Sequence, residues 1–134
     1  MKVSEHFTLE EATFSETAQA QDIDNIPNEK ELENIKYAAS RLERFRGVLK
    51  VPLKVNSWFR CEALNNAVGG VETSAHKIGL AIDIVPIGMD LETCYRKIIK
   101  SGLHYDQVIF YCKKNFIHIG FRYEYERGQA WIKN

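Results

Sequence analysis

A carboxylate placed in the middle of an aliphatic strand restricts this chain more than any other feature. From Leu80 to Val85 the residues alternate, with Leu80, Ile82 and Ile84 on one face and Ala81, Asp83 and Val85 on the other. Burying Asp83 in such a strand is costly unless something pairs with it. The same alternation returns later, where Ile117, Ile119 and Phe121 share one face while Phe116, His118 and Gly120 take the other. Each strand buries aliphatics on one side and offers one metal-competent group on the other. His76 lies in the loop that enters the first strand, behind Gly79, which lets the backbone bend. Two imidazoles and a carboxylate, with one position left for water, have the composition of a catalytic zinc site. Spacing alone leaves open a hydrogen-bonded set without metal.

With 134 residues the chain is long enough for one core and is expected to form a single domain over 1–134. Eighteen basic residues balance eighteen acidic ones, so no global field favours nucleic acid, a membrane surface or a charged polymer, and charge recognition must be local. The three cysteines, Cys61, Cys94 and Cys112, lack CxxC spacing and suggest reduced thiols. The N-terminal residues lack the apolar run of a signal peptide, and no segment is long and apolar enough to span a membrane. The expectation is a chain made in the cytoplasm.

Thr8 with Glu11 forms a capping box for a short helix, and a second short turn is expected over 15–22. Asn28 caps a helix to about Arg46, carried by Leu32, Ile35, Ala39, Leu42 and Phe45 and ended by Gly47, with its charged residues on a solvated face. A strand is expected from Leu53 to Ser57 and a helix from about Cys61 to Val68, with Gly69 and Gly70 turning the chain toward His76. Asp90 caps a helix striped by Leu91, Cys94, Ile98 and Ile99 and closed by Gly102. Gln107 to Cys112 and Phe116 to Phe121 read as a hairpin through Lys113, Lys114 and Asn115, which sets His118 opposite Phe110 or Tyr111. His6 and His104 read as surface histidines. In the tail, Trp131 packs back onto the body or grips glycan.

The string Ser-x-His-x-x-Gly-x-Ala-x-Asp from Ser74 to Asp83, followed by Phe-Ile-His-Ile-Gly at 116–120, resembles the zinc D-alanyl-D-alanine carboxypeptidase family of bacterial and phage peptidoglycan peptidases. The resemblance extends to Phe-Thr-Leu-x-Glu at 7–11, to Ile23–Pro27, and to Ser57, Arg60, Asn65, Gly69 and Gly70. It implies an α+β domain of the hedgehog/DD-peptidase type, a small, mainly antiparallel sheet with helices packed on one face. It also implies Zn2+ held by His76, Asp83 and His118, and substrate binding by Ser57, Arg60 and Ser74. Arg60 would fork onto a carboxylate or polarise the scissile carbonyl. The implied reaction is hydrolysis of an amide next to a D-amino acid in a peptidoglycan stem peptide, by DD-carboxypeptidase or L-Ala-D-Glu-type endopeptidase action.

Two departures stand out. Trp58 replaces the family's usual Gly, which would reshape the groove floor. The positions where the family carries its acidic general base hold Asn115 and Tyr111, and Tyr111 suits donation to an oxyanion better than proton abstraction. Asp106 could substitute only if the strand register brings it to the metal. The alternative is therefore a weak or inactive relative serving as a peptidoglycan-binding or phage structural module. In either case the expected partner is peptidoglycan peptide, met by a monomer after release or export by another route, with no nucleic acid and no membrane involved.

Overall fold

The computed structural model describes residues 1–134. Two short helices open the chain, α1 (Leu9–Thr13) and α2 (Glu16–Ala20), and the Thr8/Glu11 capping box forms as expected. The long helix α3 (Glu29–Leu49) begins at a second reciprocal box between Asn28 and Glu31. It runs through Gly47 instead of stopping there. Leu49 continues the Leu42 and Phe45 stripe and is 2% exposed, so burial of that side chain outweighs the modest helical penalty of glycine. The helix ends at Lys50 in the left-handed conformation, two residues before Pro52.

Strand β1 (Leu53–Ser57) follows, then α4 (Glu62–Ala67), a single 3-10 turn over Ala75–Ile78, β2 (Ala81–Pro86), α5 (Leu91–Lys100), β3 (Gln107–Tyr111), β4 (Phe116–Gly120) and β5 (Gln129–Lys133). They form one five-stranded sheet in the order β1-β2-β4-β3-β5. All pairs are antiparallel except β3 with β5. The fold is therefore α+β, with a mainly antiparallel sheet. β5 was not signalled by the sequence. Its pattern Gln-Ala-Trp-Ile-Lys places only Ala130 in partial burial, so the alternation that marks a half-buried strand is missing.

One face of the sheet carries Ile82, Ile84, Val108, Phe110, Ile117 and Ile119, and packs against Ile35, Ala39, Leu42 and Phe45 of α3 and Cys94 and Ile98 of α5. Asp90 caps α5 through Thr93 N–H, but Ile99 is exposed and Tyr95 takes its place against the core. The charged residues of α3 are not all solvated. Arg41 is 8% exposed and pairs with Glu126 at 2.6 Å while donating to His104 O and Tyr37 Oη. Glu43 accepts from Ser4, from His6 N–H and from the His6 ring, which otherwise lies at the surface. Apart from Tyr37, one turn away on the same helix, those partners lie far away in sequence, where helical periodicity carries no information about them.

Candidate metal centre

The opposite face of the sheet holds the site. Antiparallel pairing of β2 with β4 sets Asp83 directly across from His118, because both strands commit their even-spaced aliphatics to the core. His76 arrives from the 3-10 turn. Ser74 caps that turn, its Oγ accepting from His76 N–H at 3.2 Å, and Gly79 ends it at φ +83°. Trp58 clamps the turn at both ends: its indole N–H donates to Gly79 O at 3.0 Å, and its carbonyl oxygen accepts from His76 Nδ1 at 2.6 Å. The Trp58 ring points into the core, 1% exposed and edge-on to Phe7, so it does not reshape the groove floor as the sequence suggested. Its indole instead fixes a ligand loop.

The candidate ligand atoms of His76, Asp83 and His118 all lie within 4.8 Å of one another. Asp83 Oδ1 is 3.2 Å from His76 Nε2 and 2.9 Å from His118 Nδ1. A carbonyl can only accept, so the Trp58 contact requires the His76 proton on Nδ1, and in the neutral ring Nε2 presents a lone pair to the carboxylate. Two acceptors at that distance repel unless a proton or a cation lies between them, and a buried set of this kind fits a divalent ion. Burial alone would raise the Asp83 carboxyl, but the charge and hydrogen bonds of the His76 and His118 rings in their protonated forms outweigh it and hold the group well below the usual carboxylate range.

The triad lines a groove of about 1020 Å³ that also takes in Ser57, Arg60, Ser74 and Tyr111. Ser57 reaches Asp83 through a register shift between Val55 and Ser57 in β1. Arg60 donates from its backbone to His76 O at 3.0 Å and from Nη1 to Asn65 Oδ1 at 3.1 Å, while its buried Nε has no partner. Burial pushes its guanidinium down from its ordinary value and Asp83 opposes that shift. Gly70 lies so close that a methyl group there would overlap Asn65 Oδ1 and Arg60 Nη1.

The hairpin register differs from the expectation. Tyr111 pairs with Phe116 across a four-residue loop, Cys112 to Asn115, which puts His118 opposite Ile109 and not Phe110 or Tyr111. Tyr111 still faces the groove, stacked on Phe116 at 4.7 Å, and burial followed by the Asp83 charge raises its phenol above the usual value. Asp106 is closed to the role of base: Arg127 binds both of its oxygens, Arg122 adds a third contact, and together they hold its carboxyl low. Glu72, on the exposed loop before Ser74, is a groove carboxylate outside every ion pair. No sequence pattern signals it, since an exposed loop residue has no periodicity to read. The three cysteines are free.

An α+β sheet with helices on one face and a His-Asp-His cluster in a groove on the other defines a metallohydrolase type of site. The chain belongs to the peptidase M15 family, whose pattern it matches over residues 5–120. That family consists of zinc metallopeptidases. No curated protein matches the chain.

Proposed function

We propose that the chain hydrolyses an amide bond next to a D-amino acid in peptidoglycan stem peptides, by carboxypeptidase or L-Ala-D-Glu-type endopeptidase action, with Zn2+ held by His76, Asp83 and His118. The observation that carries this reading is the convergence of the candidate ligand atoms of His76, Asp83 and His118, within 4.8 Å of one another, in a groove of the sheet face. Zinc in a donor set of two imidazoles and a carboxylate supplies Lewis acidity and a water that ionises near neutral pH. The chain's own groups do the rest. The guanidinium of Arg60, which lines the groove with only Nη1 engaged by another side chain, is a donor for a substrate carboxylate or for the oxygen of the scissile carbonyl. Tyr111, kept protonated, donates to developing negative charge and does not abstract a proton. Ser57 and Ser74 line the wall along which the peptide backbone lies.

The test is incubation of the zinc-loaded protein with muropeptides beside an active family member, with His118→Ala as the control. Stem-peptide fragments released by the wild type and not by the variant support the reading, and their absence overturns it. A second reading, a module that binds stem peptide without cleaving it, is favoured by the absence of a carboxylate at positions 111 and 115. Stem-peptide binding without turnover, unchanged by Tyr111→Glu, would select it.

A further inference from the structure

The sheet face that carries the metal ligands continues past His118 onto residues both inside and outside the family match. Strand β5 lies outside the matched residues 5–120 and pairs in parallel with β3, so that Trp131 sits beside Ile109 and Lys133 beside Tyr111. Partners in a ladder share a face. Trp131, Ile109, His118 and Asp83 therefore form one row across the sheet, and Lys133, Tyr111 and Phe116 form the next.

In that second row two ammonium groups from different elements converge on one ring. Lys114 Nζ, from the β3–β4 loop, is 6.0 Å from the Tyr111 centroid, and Lys133 Nζ, from β5, is 5.7 Å from it. Phe116 supports the ring by stacking. The acid whose charge reaches Tyr111 is Asp83, which is already committed to His76 and His118, and neither lysine enters an ion pair or a side-chain hydrogen bond. Tyr111 and Lys114 line the groove, and Lys133 stands outside that lining beside the Tyr111 ring; two like charges brought together without an ion-pair partner are complementary to an anion from outside. The chain as a whole carries no net charge, so this excess is local.

We propose that Lys114 and Lys133, gathered at the Tyr111 ring with Trp131 in the neighbouring row, form an accessory subsite that takes a carboxylate of the peptide substrate, two to three residues from the bond held at His76, Asp83 and His118. The spacing follows from the sheet: Tyr111 is two residues along β3 from the partner of His118, and two residues of strand with one strand separation span roughly 8 Å. An extended peptide covers about 3.5 Å per residue. The proposal rests on the reading of the groove as a peptide site and narrows it to an acidic stem peptide.

The experiment compares peptide pairs of the stem type, identical except for a carboxylate or a carboxamide two or three residues from the D-amino acid bond. Binding to the zinc-loaded full chain is measured by calorimetry and cleavage is followed separately. Two partly exposed charge pairs should favour the carboxylate about three- to tenfold in Kd, less at high salt. In Lys114→Gln/Lys133→Gln that ratio should fall to near one. A wild-type ratio of one, a ratio retained by the double variant, or no binding of either peptide overturns the subsite. Selective binding without cleavage leaves the subsite standing and refutes the hydrolytic reading; cleavage without selectivity does the reverse.

Discussion

Replacing Gly79 by alanine adds one methyl group to a residue held at φ +83° between the His76 turn and helix α3. The left-handed backbone costs an L side chain ~1–2 kcal/mol. The new Cβ would lie 2.9 Å from Ile35 Cγ1 and 3.2 Å from Glu31 O, and the second of these is helix backbone that cannot swing aside. Overpacking of this kind costs a further ~1–3 kcal/mol. Relief by moving the turn outward would strain the hydrogen bond from the Trp58 indole to Gly79 O and carry His76 with it. Gly79→Ala should therefore lose ~2–5 kcal/mol, read by urea denaturation in the presence of chelator, and should also weaken zinc affinity in a competition titration. Gly47→Ala is the matched control, since it lies inside α3 with nothing within 4 Å of the added carbon, and should gain ~0.5–1 kcal/mol. A Gly79→Ala protein within ~1 kcal/mol of wild type would refute the argument that this turn is held rigidly against α3.

Glu126→Gln leaves Arg41 buried without its counter-charge and should cost ~3 kcal/mol in denaturant unfolding, whereas replacing both partners by apolar residues should recover most of that loss; a single-variant cost below ~1 kcal/mol would mean the pair behaves as an exposed one. The Asp106 carboxyl is held below its ordinary 3.8 by Arg127 and then Arg122, so its contribution is complete above about pH 5 and is lost as pH falls through and below 3.8. Asp106→Asn should therefore be less stable at neutral pH and lose less on acidification than wild type, and parallel acid limbs would contradict this. The Cys94 thiol is pushed up to about 12 by burial, with Asp90 adding to it, while Cys61 and Cys112 are half-buried. An aromatic disulfide reagent near pH 8 should titrate Cys61 and Cys112 in the native protein and reach Cys94 only on unfolding; rapid reaction of all three would show that α5 does not close over Cys94.

Much of this fold was legible wherever the determining interactions are local. The helix starts at Thr8, Asn28 and Asp90 follow from side chains that reach backbone N–H groups three residues away. Asp83 and His118 could be placed on one face because strand periodicity and the cost of a buried carboxylate act within a few residues. What the sequence hid depends on distant partners. The orientation of Trp58 is set by Phe7 and Gly79, the burial of Arg41 by Glu126, and the engagement of Asp106 by Arg122 and Arg127. The slip at His118 came from a turn one residue longer than Lys-Lys-Asn implied, with Asn115 in the left-handed conformation. β5 escaped because an edge strand that buries almost nothing leaves no hydrophobic pattern.

That edge strand matters for how the chain reaches its native state. β3 is among the most apolar segments of the sheet, Val-Ile-Phe flanked by Gln107 and Tyr111, and β5 covers the side of it that β4 does not. The covering segment is synthesised after both β3 and β4, so a nascent chain that has made β4 still offers β3 as a template for another copy. Truncation at Gly120, which would retain His76, Asp83 and His118, is thus a route to aggregates and not to a smaller working domain.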